Sequence, residues 1–331
     1  MGGLLGVATT EPVEREELRF GVILNGGVSL AVWMGGVVLE LDHLTRAVRD
    51  DEPGQAEAPQ PAAGVTRIYR CLLDLAGSSA RADVIAGTSA GGINGAALAL
   101  AQVNPDASPA LLRDVWVEQG RFESLLRQPF RGSPTSLLKG DEYFLPHLNR
   151  ALGLMATGAR TRDAAAAPID LSITATVLKP NQLVTSDSLG QPLAQSLHGA
   201  RFHFARSSEG RATCRHSKHD DPFSPGALPE TAARLALAAR TTASFPLAFE
   251  PSYVPVNSTR YAEPATGAGP TQERRLRPDM GCHVEEWGDG RRVRDRSRFA
   301  VDGGLLANTP TRAALQAVEG MVASGPVRRV M

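Results

Sequence analysis

The sequence predicts an α/β fold with a mostly parallel central sheet and helices on both faces, and three observations carry that prediction. Leu18 to Leu24 reads as a buried strand that runs through Asn25-Gly26-Gly27-Val28 into an apolar helical pattern from Leu30 to Val48. The apolar run Ala82 to Ala86 repeats the arrangement, turning through Gly87-Thr88-Ser89-Ala90-Gly91 into a Gly/Ala-rich helical stretch from Ile93 to Gln102. Strands alternating with helices in this way need a sheet covered on both faces. Finally, 331 residues, 42% of them hydrophobic, suffice to bury one large core. Residues 1–17 read as an N-terminal tail and 18–331 as one domain.

The other elements follow in chain order. Asp50 to Gly64, with three prolines, is a solvated loop before a helix around Tyr69 to Leu75. Leu111 to Val117 and Glu142 to Leu152 read as flanking helices, and Ala164 to Ala167 as a connector. Ile169 to Val177 alternates apolar and hydroxyl residues with many β-branched side chains, which marks a strand. Thr231 to Ala239 places Ala232, Leu235, Ala236 and Ala239 on one helical face. Asn257 to Arg298 is rich in Gly, Pro and charge and reads as a long excursion, mobile in part. Phe299 to Val301 is a strand, and Gly325 to Met331 reads as a turn and the opening of a strand cut short, as in a truncated chain.

Composition excludes several classes of function. Equal numbers of basic and acidic residues leave no formal net charge, which argues against nucleic-acid partners. Cys71, Cys214 and Cys282 make no paired framework and fit a reducing, cytoplasmic compartment. Glu11, Glu14, Glu16 and Glu17 without a basic flank argue against a secretory signal. Leu24 to Leu41 is nearly uncharged and about 18 residues long, the length of a membrane span, but its glycine pairs and preceding strand favour a helix buried in the protein. Cys214, His216 and His219 lie in a run of mixed charge without a second ligand pair at zinc spacing, so surface residues rather than a metal site are expected.

Ser89 stands at the apex of a strand-turn-helix, flanked by Gly87 and Gly91 where a Cβ would collide as the chain doubles back. Its place at a helix N-terminus favours negative charge developing nearby. The Gly-x-Ser-x-Gly pattern alone arises by accident in roughly one chain in five of this glycine content, so context must support it. Two further elements do. Gly26, Gly27 and Val28, between a strand and a helix, leave backbone N–H groups uncovered to hold an oxyanion. Asp302, at a strand end before Gly303 and Gly304, is a candidate base for Ser89.

Together, in this order and spacing, the three elements resemble the patatin-like phospholipase family. The resemblance implies a three-layer α/β/α fold, Ser89 as nucleophile, Asp302 as its partner in a two-residue dyad, and Gly26, Gly27 and Val28 as oxyanion loop. Ala239 to Pro246 resembles the segment that enters the site between serine and aspartate in such proteins. The family's Asp-Gly-Gly-Gly-x-Arg/Lys-Gly loop here reads Asn25-Gly26-Gly27-Val28-Ser29-Leu30-Ala31, without the third glycine and the basic residue, a variant similar to a divergent bacterial branch. Asp302 then takes the Ser89 proton as the hydroxyl attacks an ester carbonyl, and water hydrolyses the acyl-enzyme. The implied substrates are lipid or lysolipid esters met in transient contact with a membrane surface, with no cofactor and no metal. Trp33, Phe245, Leu247 and Phe249 are candidates for the acyl-chain wall.

Three rival readings are distinguishable. A Ser-acid-His triad in the α/β-hydrolase order needs a histidine after the acid. None of the seven follows Asp302, which leaves an acidic residue between Ser89 and His283, such as Glu250, with His283 in a polar, Arg-rich stretch that reads as loop. A non-catalytic lipid-binding or scaffold protein would follow if Val28 spoils the oxyanion loop. A nucleotide-binding loop at Gly87 to Gly95 lacks its lysine, Ile93 standing in that place.

Overall fold

Two strands that run toward each other along one edge of a third organise this molecule. The computed structural model describes residues 15–49, 63–128, 134–158, 167–206, 221–256, 277–287, 296–323 and 325–331. Among these, β1 (Glu16–Leu24), β2 (Ser78–Gly87), β3 (Ile169–Ser186), β4 (Pro192–Arg206), β5 (Ser252–Val254), β6 (Val284–Glu285), β7 (Arg298–Asp302) and β8 (Val327–Val330) form one sheet. Its order is β5-β7-β3-β2-β1-β8, and β4 pairs with both β3 and β6.

The α/β class holds, with a sheet more mixed than the local patterns predict. The β3-β2-β1-β8 portion is parallel. Beyond β3 the pairings with β4 and β7, and those of β5 with β7 and β4 with β6, are antiparallel. Strand pattern reports burial; pairing direction depends on connections that no local window contains.

Helices cover both faces. The long α1 (Ala31–Arg49) packs on α3 (Ala90–Val103), which is buried from Ala90 to Ala101 and lies against Ala82 and Ile85 of β2. Next to them, α6 (Leu145–Met155) packs on α7 (Leu228–Thr242). On the opposite face Ala314 of α8 (Thr311–Glu319) meets Val84 and Ala86, the alternate residues of β2. A smaller cluster joins Leu73 of α2 (Ala63–Leu75) to Ala47 and Ala80. Shorter helices, α4 (Leu111–Asp114) and α5 (Phe122–Leu125), complete the set among the described residues.

Several expectations change. The strand assigned from Leu18 begins at Glu16, within the expected tail. The helices expected at Leu111 to Val117 and Glu142 to Leu152 are each part α-helix and part wider π-helical turn. β3 continues past Val177 to Ser186 and returns as β4, a hairpin with a register shift after Thr176. The expected excursion 257–298 lies partly outside the described residues, yet it supplies β6 and the buried Met280, His283 and Trp287. Val327 to Val330, expected to be an interrupted strand, pairs with β1 from Glu17 to Phe20. Cys282 is disulfide-bonded, contrary to the expectation of three unpaired thiols, while Cys71 is free. Cys214, His216 and His219 lie outside the described residues.

By length and composition, the helix spanning 28–47 is apolar enough to cross a membrane, and 28% of that window is buried in the protein. One face of α1, including Met34, Val38, Asp42 and Thr45, is buried. Its first turn presents Val32 and Trp33 to solvent, so the helix is half covered rather than wholly buried.

Candidate active site

β4 occupies one edge of β3, and β2 and β7 share the other. Gly87 lies opposite Ile173 and Asp302 opposite Ala175, with Thr174 between them. Because β2 is parallel and β7 antiparallel to β3, their carboxyl ends point at each other. The chain leaving each strand therefore enters the same small space, and Ser89 and Asp302 meet there.

The turn after β2 is sharp. Ser89 has φ 53° and ψ −124°, a conformation that a non-glycine residue adopts at a cost of about 1–3 kcal/mol. Hydrogen bonds from the Thr88 N–H to the Leu24 carbonyl (3.0 Å) and from the Ser89 N–H to Thr242 Oγ1 (2.8 Å) hold it. A Cβ on Gly91 would sit 2.1 Å from the Leu24 carbonyl oxygen, and one on Gly87 2.4 Å from that of Gly91. Both glycines are steric requirements of the turn.

The Ser89 hydroxyl donates to Asp302 Oδ2 at 2.7 Å, and Asp302 Oδ1 accepts the Gly304 N–H at 2.7 Å. Asp302 is only 2% exposed, and its own N–H is anchored on the Ser244 carbonyl. Burial raises its pKa above the ordinary carboxyl value, outweighing the Gly304 and Ser89 hydrogen bonds that lower it; no cation contributes. A raised pKa suits a carboxylate that must accept a proton from a hydroxyl. Gly303 lets this turn press against β3, since a Cβ there would meet Thr174 Oγ1 at 2.1 Å.

The oxyanion loop needs one correction. The Gly26 N–H donates to the Asn308 carbonyl (3.2 Å), so Gly26 anchors the loop instead of facing a substrate. A Cβ on it would lie 2.3 Å from Asn308 Oδ1, which explains the glycine. The N–H groups of Gly27, Val28 and Ala90 have no partner among the described residues. Gly27 has φ 152°, open to glycine alone, and with this residue taking the unusual angle Val28 is spared it.

No histidine hydrogen-bonds to Ser89 or Asp302 among the described residues. Glu250, the acid of the rival triad, accepts from Ser136 Oγ (2.7 Å) and the Asp141 N–H (2.6 Å) and pairs with Arg240 and Arg127. Burial alone would raise its pKa; Arg240 and these hydrogen bonds bring it to about 2. His283 is buried against Phe204, with Nδ1 on the His203 carbonyl, and burial lowers its pKa to about 4. The two do not meet, and that triad is excluded.

Residues overlooked in the sequence hold the arrangement together. Thr88 Oγ1 bonds Thr174 Oγ1 (2.7 Å) and donates to the Ala307 carbonyl (2.8 Å), tying the elbow, β3 and the Asp302 loop. Thr242 and Ser244 lie in the 239–246 segment expected to enter the site, and each receives a backbone N–H from one dyad residue. The hydroxyl alternation along β3 was the available signal for Thr174.

A family model described as patatin-like phospholipase matches residues 22–315. The chain is 33% identical over 326 residues to "Uncharacterized membrane protein Rv3479" of Mycobacterium tuberculosis (strain ATCC 25618 / H37Rv), covering 96% of this chain and 27% of that relative. The chain thus spans about a quarter of that relative's length. No solved structure matches it.

Proposed function

Because the chain belongs to the patatin-like phospholipase family, we propose that it is a serine carboxylic-ester hydrolase acting on lipid or lysolipid acyl esters. The observation that carries this reading is the 2.7 Å hydrogen bond from the hydroxyl of Ser89, at a strained strand-helix turn, to a buried Asp302 with no cation beside it among the described residues. Asp302 Oδ2 takes the proton as Ser89 Oγ attacks the ester carbonyl. The Gly27, Val28 and Ala90 N–H groups receive the oxyanion, each such donor contributing about 3–4 kcal/mol in a working hydrolase. The alcohol leaves with the proton from Asp302, and water, deprotonated by the same carboxylate, releases the fatty acid from the acyl-enzyme.

The protein meets its substrate at a membrane surface without nucleic-acid partners. A peripheral location at a membrane completes the reading, and the disulfide at Cys282 removes the cysteine argument for a reducing compartment. A fluorophosphonate tests the chemistry. Labelling of Ser89 in the wild type, lost in Ser89→Ala and Asp302→Ala with both variants folded, is the expected result. A wild type that never labels would favour the non-catalytic scaffold.

A further inference from the structure

Three segments meet around the dyad, and each presents large apolar side chains to solvent. The oxyanion loop and first turn of α1 expose Val28, Val32 and Trp33 at 87%, 61% and 67%. The segment after α7 exposes Leu247 at 89%, and the turn after Asp302 exposes Leu305 and Leu306 at 47% and 59%. Backbone hydrogen bonds bind them into one rim: Gly26 to Asn308, and Asp302 to Ser244.

This rim is without charge. No Asp, Glu, Lys or Arg occurs from Leu24 to Leu39, from Thr241 to Phe249, or from Gly303 to Thr311. Contiguous exposed apolar area of this kind marks a contact surface. Leu247 is moreover held at φ 71°, unfavourable for a bulky residue, by hydrogen bonds from the Leu137 and Leu138 N–H groups to the Leu247 and Ala248 carbonyls. The backbone is thus bent at the point where Leu247 faces solvent.

The rim is continuous with a cavity. Leu247 and Leu305 also line a space of about 350 Å³ walled by Val177, Leu178, Phe249 and Val301. Among the candidates for an acyl-chain wall, Leu247 and Phe249 border it, whereas Trp33 and Phe245 do not. A surface that is apolar, uncharged and continuous with a mostly apolar cavity, bordered by Val301 next to Asp302 in the chain, fits one partner best. A neutral lipid surface can take the rim side chains among its acyl chains without an unpaired charge to bury, and can supply a chain to the cavity.

We propose that Val28, Val32, Trp33, Leu247, Leu305 and Leu306 form a docking rim that seats the active-site mouth on a neutral, zwitterionic lipid surface. The proposal rests on the lipid-ester reading of the Ser89 site. Cosedimentation of the full chain with phosphatidylcholine vesicles tests it, comparing wild type, Trp33→Asp, Leu306→Asp and Leu75→Asp. Leu75 is 86% exposed at the end of α2, near the amino end of β2 and away from the site, and serves as the control.

Vesicle binding by wild type and Leu75→Asp, weakened about tenfold or more in Trp33→Asp and Leu306→Asp while circular dichroism is unchanged, is the expected result. Equal binding by all four proteins, or none by the wild type, overturns the proposal. So does light scattering that shows the rim closed by a second copy of the chain. Fluorophosphonate labelling keeps the two readings apart. Labelled Ser89 without vesicle binding sinks the rim alone, and rim-dependent binding without labelling sinks the hydrolase reading alone.

Discussion

Two segments of the chain each bury a carboxylate, and the surroundings of the two are opposite. Glu250 is surrounded by donors: two arginines, Ser136 and the N–H groups of Gly140 and Asp141. Asp302 has one backbone N–H, one hydroxyl and no cation among the described residues. The first is driven to a pKa of about 2 and is useless as a base; the second is raised. A saturated carboxylate holds structure, and an under-solvated one keeps proton affinity for chemistry.

Substituting the two carboxylates separates the roles most strongly. Asp302→Asn should lower ester turnover about 10⁴-fold, as removal of a catalytic partner does, while the melting temperature stays at or above wild type because an unneutralised buried charge is gone. Glu250→Gln should do the reverse, costing about 3 kcal/mol in a denaturant melt by leaving the fully buried Arg240 underpaired, with turnover per folded molecule little changed. Equal loss of turnover in both variants would break the comparison.

Acidity distinguishes them next. Glu250 has a folded pKa of about 2 against an ordinary 4.5, so its stabilisation is complete above pH 4.5 and lost as pH falls toward 2. In the proposed mechanism Asp302 must be ionised to take the Ser89 proton, so the acid limb of kcat/KM should lie above the ordinary carboxyl value of 3.8. A limb at or below that value would count against Asp302 as the base.

His203 offers a similar contrast at the far end of the scale. Burial would lower its pKa, but Asp170 at 2.7 Å and Glu285 at 2.9 Å raise it to about 9. Its pairing stabilises the fold fully below pH 6.5 and is lost as pH rises through 9, which a melting series from pH 6 to pH 10 would detect and His203→Gln would abolish.

The smallest effects concern supporting groups. Thr242→Val leaves the Ser89 N–H without its acceptor and should cost about 1–2 kcal/mol, roughly tenfold in kcat, with labelling slowed in proportion. Val28→Gly keeps the backbone N–H and should change kcat by about threefold or less, whereas a gain of a hundredfold would mean that the valine impairs the loop.

The elbow was legible because everything it needs is local. A strand, a glycine on each side of the serine and a helix lie within one window, and steric exclusion at Gly87 and Gly91 leaves no other residue type. Asp302 was legible through its Asp-Gly-Gly turn. Thr242 and Asn308 were not, because an acceptor for a backbone N–H has no motif of its own and shows itself only when the distant segment arrives. Gly26 misled for the same reason: its donor looked free until Asn308 came to take it. The β3-β4 hairpin was hidden by its solvent-exposed outer half, where Leu183, Val184 and Leu193 break the polar-apolar alternation that marks a strand.

The sequence by itself determined the candidates for the chemistry, the class of fold and the chain order of its parts, since these depend on residue type and near neighbours. Only the tertiary structure decided that Ser89 and Asp302, 213 positions apart, share a hydrogen bond. It also decided which loop amides lack a partner among the described residues and which of two buried carboxylates has its pKa raised. Those outcomes depend on two strands running toward each other along one edge of β3, and on where each buried charge finds a partner, neither of which any local stretch of sequence contains.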